Sequence, residues 1–499
     1  RSVYLFVEDD EQLDKYLEVA GRLPLIRRVI VYDMEGLQSF SDPRVISLEQ
    51  LREIGRELLK SRPMLLQERS AARDPAEVAV LVYTSGTTGR PKGAMISQHN
   101  IVAVLSALSA TLFEGVPRGG ERIAFLPLCH IAERMIGAFI PLERASVVNY
   151  VENPETVFEN LREVRPHLFF AVPRVWEKIY SQVSIALSEA DRLQRAAYGL
   201  ALQIGGEVAK CTLENREPPF GLKLRHQLAR RLVLDNVKRM IGMDRVEVGM
   251  TGAAPISPEL IRWFMALGIP LREGWGMTET CGGGTITPRR GMRPGSIGRP
   301  GPGLQMRIAE GTHEILLRGP NVIIGYLNLP QKTAEAIDAD GWLHTGDVGR
   351  VDDDGYFYIT DRMKDIIITA GGKNITPSEI ENELKFSPYV TDAVVIGDRR
   401  PYLVVLIMID QENVEKYAQD HDVPFGNYAS LTKAPEVQAL IQAEVDRVNA
   451  KFARVEQIKK FYLLQTQLTA EDEELTPTMK LKRKLVEKKY AEAIEAMYR

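Results

Sequence analysis

Short apolar runs, each bounded by a polar turn and followed by a longer stretch with apolar residues three and four apart, constrain this chain more than any other feature. They fall at 28–32 (RVIVY), 78–83 (VAVLVY), 168–172 (LFFAV) and 245–250 (RVEVGM). The alternation predicts strands interleaved with helices, hence a mostly parallel α/β core, with 78–83 read as a buried strand. From about residue 291 strand-length runs are separated by Gly, Pro and Asp turns, as at 314–317, 323–326 and 355–360, which predicts a small antiparallel or barrel-like β subdomain over 291–360. Past Asp361-Arg362-Met363-Lys364 the pattern changes again. An amphipathic helix is expected near Pro377-Ser378-Glu379, a strand pair at 392–396 and 402–409, and then polar helices, with 435–455 as one long helix. The expected organisation is a large α/β domain over 1–360, a hinge at 361–364 and a small mobile α+β domain over 365–499.

Composition narrows the function classes. The chain has 499 residues, enough for several domains with full cores, and a net charge of −4 that carries no nucleic-acid footprint. Its three cysteines, Cys129, Cys211 and Cys281, lie far apart without a CxxC pair, which fits a reducing, cytoplasmic compartment. No apolar run reaches the ~18 residues of a membrane span. Membrane association would therefore be peripheral, and the basic run 480–489 is a candidate contact with anionic lipid or simply a solvated helix face. The chain opens on Arg1 and enters an apolar run without a charged leader, which reads as a truncated or processed start.

The segment 83–93, YTSGTTGRPKG, carries the most chemistry. Its glycines free the backbone to approach an anion, while the hydroxyls of Thr84, Ser85, Thr87 and Thr88 and exposed N–H groups can ligate phosphate oxygens. Gly86 and Gly89 supply the bend and Lys92 the positive charge. This is a triphosphate cradle by composition. It is not a Walker A loop, since Pro91 and Gly93 occupy positions where that motif needs glycine and a hydroxyl.

This loop resembles the signature of the adenylate-forming (AMP-binding) superfamily, which includes acyl-CoA synthetases. Further segments match in family order: Gly252-Ala253-Ala254-Pro255, Gly274-Trp275-Gly276-Met277-Thr278-Glu279, 341–347 (GWLHTGD), 361–365 (DRMKD), Gly371-Gly372-Lys373-Asn374 and 475–480 (LTPTMK). The resemblance covers the chain from about residue 77 to the end. It implies ATP, Mg²⁺ and coenzyme A as reactants and cofactors. Glu279 would then hold magnesium as a hard oxygen ligand, Thr278 would meet the α-phosphate, and Gly252, Ala253 and Ala254 would lie against the adenine beside Gly274, Trp275, Gly276 and Met277. Asp347, read as a turn residue, would accept from the ribose hydroxyls, with Arg362 securing the same sugar.

Adenylation brings several anionic oxygens together, so cation placement should dominate the barrier. Lys480 is the implied cation, although Thr478-Met479 precede it where many members have a hydroxyl residue and glycine. Lys364 or Asp365 is the implied pivot of the small domain, and Gly371 and Gly372 would line a pantetheine channel where backbone without Cβ permits close approach.

Segments 127–134 (PLCHIAER) and 171–178 (AVPRVWEK), with an insert at 448–461 read as helical, resemble long-chain fatty acyl-CoA synthetases. His130 is a candidate for positioning the carboxylate or walling its pocket, and Trp176 for gating the acyl tunnel, plain core packing being the alternative for each. The function implied is activation of a long-chain fatty acid as its adenylate followed by transfer to coenzyme A. The alternatives are a fatty acyl-AMP ligase that loads a carrier protein, or an impaired nucleotide- or acyl-binding fragment, because the family's α/β segment ahead of the phosphate loop is largely missing. Oligomeric state and chain-length preference have no signal in the sequence.

Overall fold

The computed structural model describes residues 2–84, 91–153, 156–363, 365–468, 474 and 482–499. They divide into two compact units, 1–77 and 78–499.

In the first unit three parallel strands, Tyr4–Val7, Arg28–Val31 and Val45–Ser47, lie side by side. The helix Asp10–Leu17 buries Leu13 and Tyr16 against Val7, Val29 and Val31. The helix Leu48–Ser61 starts at a capping box in which Ser47 and Gln50 satisfy each other's backbone N–H.

The second unit is organised by a seven-stranded sheet. Its five central and outer strands, Leu271–Trp275, Val248–Thr251, Leu168–Ala171, Glu121–Ala124 and Val147–Tyr150, are parallel, as the alternating pattern predicts. Leu168–Ala171 and Val248–Thr251 are buried at every residue, as expected where helices cover both faces. Phe169 and Ala171 face one core with Trp176 and Phe264, and Leu168 and Phe170 face the other with Ile101, Met135 and Ile136. The right and left halves of each strand's side chains thus belong to different layers, which is the period of two at work.

Over 291–360 four antiparallel strands form, Gln305–Ile308, Glu314–Arg318, Leu343–Val351 and Phe357–Arg362. Val78–Thr84 was expected to be buried on both sides. It is instead the edge of a three-stranded antiparallel sheet with Lys92–Ser97 and Gly325–Tyr326; Val82 is buried while Val78, Leu81 and Tyr83 are 44%, 42% and 61% exposed. An unbroken apolar run does not reveal how many faces are covered.

Residues 365–499 fold around their own sheet, in which Leu403–Ile409, wholly buried, pairs antiparallel with Val390–Ile396 and parallel with Ile458–Leu463. Helices Pro377–Lys385 and Pro435–Asn449 cover one face, and Arg483–Lys489 and Ala491–Tyr498 the other. The long helix stops at Asn449 rather than 455, and 458–463 is a strand rather than helix. The cause is local: the Asn449 side chain accepts from Ile458 N at 2.8 Å and donates to Ile458 O at 3.0 Å, which turns the chain back into the sheet.

This C-terminal part packs on helix Pro173–Glu189. Tyr180 stacks on Phe386 at 5.5 Å, Lys178 pairs with Glu412 at 3.1 Å, and Asn413 donates to Ser181. Among the described residues no helix is long and apolar enough to cross a membrane.

Candidate active site

Thr84 and Lys92 face each other across the ladder of the edge sheet, with the Thr84 hydroxyl donating to the Lys92 carbonyl at 3.5 Å. The loop between them, including Ser85, Gly86, Thr87, Thr88 and Gly89, lies outside the described residues. The Lys92 ammonium sits 4.2 Å from the centroid of the Tyr326 ring, and the Tyr326 hydroxyl donates to Glu279 Oε1 at 2.5 Å. Burial, reinforced by the Glu279 charge, raises the Tyr326 pKa, so the phenol stays protonated and remains a donor. Tyr326 is a residue that motif reading missed. Its only signal was an aromatic at the end of the 323–326 run, and pairing of Gly325–Tyr326 with Lys92–Ser97 is what brings it to the site.

Two of the motif loops lie at the carboxyl ends of the parallel strands, where α/β sheets place their ligands. Gly252 follows Val248–Thr251, and Gly276 and Met277 follow Leu271–Trp275. These two exits pack so closely that a Cβ at Gly252 would lie 2.7 Å from Gly274 O, and one at Gly276 would lie 2.5 Å from Gly282 O. Ala253 is held in the left-handed region at φ 67°. Thr278 and Glu279 form one short 3₁₀ turn, with Thr278 partly exposed and Glu279 buried. A single carboxylate fits magnesium, which takes one or two protein carboxylates beside substrate phosphates.

Asp347 lies within the strand Leu343–Val351 and not in a turn, directly across from Arg362. Its Oδ1 meets Arg362 Nε at 2.6 Å and its Oδ2 accepts from Trp275 Nε1 at 2.8 Å. Three motifs spread over 88 positions of sequence thus converge on one carboxylate that is 2% exposed.

His130 is the residue just before the short helix Ile131–Glu133, whose first residues pack on Gly282: a Cβ there would meet Ile131 Cγ1 and Ala132 Cα at 3.5 and 3.6 Å. A π-helical segment, Arg134–Phe139, follows. Ala132, Met135 and Ile136 line a small apolar cavity with Val104, Ala107 and the glycine run 282–284. Behind this segment Glu133 and Arg122 are 2% and 1% exposed. Glu133 Oε1 and all three guanidinium nitrogens of Arg122 have no protein partner among the described residues. Burial pushes the Glu133 carboxyl up to about 7, with the Arg122 charge opposing.

Trp176 is not brought to this cavity. Its indole is fully buried in the opposite layer, edge-on to Phe169 at 5.1 Å and Phe264 at 4.9 Å, with Nε1 donating to Ala171 O at 3.2 Å.

Asp361 accepts from Ser378 N and Oγ at 3.2 and 3.0 Å, joining the expected hinge segment to helix Pro377–Lys385. Asp365 follows at once, and Gly371 and Gly372 form the exposed tip of the hairpin Ile367–Ile368/Asn374–Ile375, Gly372 with φ 75°. Lys364 and Lys480 lie outside the described residues.

A small-molecule enzyme site of the nucleotide-binding α/β kind is what this arrangement defines, with its ligand groups on strand exits and a second lobe appended. The chain belongs to the AMP-binding enzyme family: that family matches residues 1–327, and the AMP-binding enzyme C-terminal domain matches 364–499. A putative fatty-acid–CoA ligase, fadD11 of Mycobacterium tuberculosis, is 40% identical over 86% of this chain and 74% of its own length. The long-chain-fatty-acid–CoA ligase FadD15 of Mycobacterium bovis is 34% identical over 100% and 80%, and ACSBG2 of Gallus gallus 35% identical over 99% and 67%. Among solved structures, the adenylation domain of a carboxylate reductase from Mycobacterium chelonae shares the fold, with a TM-score of 0.70 at 22% identity over 99% of this chain and 73% of that one.

Proposed function

We propose that this chain activates a long-chain fatty acid with ATP and passes the acyl group to coenzyme A. The relatives named as fatty-acid–CoA ligases support the reaction class. The structural observation that supports the substrate class is the apolar lining formed by Val104, Ala107, Ala132 and Met135 with glycines 282–284, which follow Thr278 and Glu279 in the chain. The cavity these side chains enclose is small, about 40 Å³, so a long acyl chain would enter by moving them apart, its polar end toward the strand exits.

In the first step a carboxylate oxygen attacks the α-phosphorus, the bond to the β-phosphate bridging oxygen breaks, and pyrophosphate leaves. Lys92 and the loop before it neutralise the departing phosphates, and Thr278 donates to the α-phosphate. Glu279 would hold magnesium, which when bound would supply further charge neutralisation on the phosphates. Asp347, clamped by Trp275 and Arg362, fixes the ribose, and Lys480 stabilises the charge that builds up between carboxylate and phosphate. His130 holds the carboxylate end of the acid. In the second step the thiolate of coenzyme A attacks the acyl carbonyl, the C–O bond to AMP breaks, and AMP leaves. Gly371 and Gly372 line the thiol's approach after the small domain turns about Lys364 and Asp365.

Acid-dependent ATP–pyrophosphate exchange with acids from C6 to C18, with and without coenzyme A, tests this reading. Exchange should peak with a long acid, acyl-CoA should appear when the thiol is present, and Lys480→Ala should lower exchange by about 10²-fold or more. ATP binding without exchange for any acid would refute it. Exchange without acyl-CoA would move the acceptor to a carrier protein.

A further inference from the structure

The helix Phe220–Ala229 and the π-helical turn Arg230–Leu234 that follows present an apolar stripe to solvent. Phe220, Leu224, Leu228 and Leu232, four apart, are 84%, 61%, 61% and 65% exposed. At about 100° per residue the first three span one sector of the helix. Its opposite side, with Leu222 and Ala229, packs into the core beside Ile204 and Leu234. Leu193 and Leu200, on the neighbouring helix Arg192–Leu213, are 79% and 58% exposed. Single exposed apolar side chains are ordinary, but a phenylalanine and three leucines in register along one continuous helical segment are not.

The segment that carries the stripe is itself rich in cations. Residues 220–240 hold the exposed cations Lys223, Arg225, Arg230, Arg231 and Arg239, in a chain whose net charge is −4; a sixth, Lys238, is buried and pairs with the segment's single acid, Asp235, at 2.9 Å. On the helical wheel Lys223 and Arg230 flank the stripe on one side and Arg225 on the other. Lys223 pairs with Glu217 at 3.1 Å and Arg225 with Glu207 at 3.8 Å, exposed pairs that solvent screens, and Arg230 lies 3.4 Å from the half-buried Asp235. Arg231 and Arg239 have no ion pair among the described residues. An apolar sector between basic flanks is the pattern of a helix that lies in a bilayer interface, with its leucines at the acyl boundary and its cations at anionic headgroups.

We propose that the face formed by Phe220, Leu224, Leu228 and Leu232 docks the protein on an anionic lipid bilayer. Charge complementarity selects this occupant over a second copy of the chain, since two such faces would bring their basic flanks together. The docking is separate from the adenylating chemistry, so it can be tested whether or not that reading stands.

The measurement is co-sedimentation of the purified chain with large vesicles of phosphatidylcholine, with or without a third phosphatidylglycerol. Binding should need the anionic lipid at 0.1 M NaCl and should weaken by about tenfold or more at 0.5 M, as the charge attraction is screened. Leu224→Ser/Leu228→Ser should lower binding by at least about tenfold, and Arg231→Gln by about fivefold. Both variants should keep the parent's melting temperature and its pyrophosphate exchange with a short soluble acid. Absence of vesicle binding, equal binding to neutral vesicles, or undiminished binding by the double variant would each overturn the proposal. So would a parent dimer in sedimentation equilibrium that the double variant converts to monomer while neither form binds vesicles, because the stripe would then be a protein interface.

Discussion

Glu279 Oε1 accepts a 2.5 Å hydrogen bond from the hydroxyl of Tyr326, and the same ring carries the Lys92 ammonium 4.2 Å from its centroid on its face. One tyrosine therefore links the proposed magnesium ligand to the lysine of the phosphate loop. Tyr326→Phe keeps the ring under Lys92 and removes only the donor. Since a hydrogen bond to a charged group contributes about 1.5–3 kcal/mol, kcat/KM for ATP in pyrophosphate exchange should fall by about tenfold or more, with the melting temperature little changed. Tyr326→Leu, which also loses the cation–π contact, should lower it further.

The Asp347 clamp separates in the same way. Trp275→Phe preserves the apolar bulk in its core but deletes the 2.8 Å donor, and should cost about 1 kcal/mol of stability together with a severalfold loss in AMP affinity. Asp347→Ala strands the buried indole N–H and leaves Arg362 without its partner, and should cost about 2 kcal/mol or more. Chemical denaturation and AMP calorimetry on the two variants read both quantities.

Acyl-chain length should respond to the cavity wall. Ala107 lines it, and a Cβ at Gly283 would come within 2.8 Å of Val104 Cγ1. Ala107→Phe should raise KM for C16 and C18 acids by about tenfold or more while leaving C6 and C8 nearly unaffected. A uniform change across chain lengths would place the acyl chain elsewhere.

Two buried carboxyls give the chain a pH dependence of stability. Burial pushes Glu273 up to about 8, and Glu133 up to about 7 against the opposing charge of Arg122. Between an unfolded value of about 4.3 and these values the folded chain holds protons that the unfolded chain has released. These groups therefore favour the fold at the acid end of that window, and their contribution falls as pH rises through 7 and 8. Glu273→Gln should be more stable than the parent by at least about 1 kcal/mol at pH 8.5 and closely similar at pH 5, by urea denaturation.

Glu133 has a second consequence. Arg122→Met leaves a buried carboxylate without its counter-charge and should destabilise by about 3 kcal/mol, whereas Arg122→Met/Glu133→Gln removes both charges and should recover most of that loss.

What the sequence determined by itself was local chemistry and its order along the chain. The period-two and three-to-four patterns specified parallel strands at 168–171 and 248–251, since strands buried on both faces must be apolar throughout. The glycines at 252 and 276 were read from the sequence as ligand-loop residues; that their Cβ positions are also closed off by Gly274 O and Gly282 O is a contact only the structure reveals. Tertiary structure decided what those patterns leave open. An apolar run does not count its covered faces, so the one-sided burial of Val78–Thr84 came from its place at a sheet edge. An aromatic in an apolar run does not announce its partner, so Tyr326 reached Glu279 only through the pairing of Gly325–Tyr326 with Lys92–Ser97, and Trp176 went to the core rather than the cavity. Asn449 ended its helix early because its side chain found Ile458 across the turn. Each is a contact whose partner lies elsewhere in the chain, and such contacts are chosen by the competition of whole surfaces for burial rather than by the residues on either side.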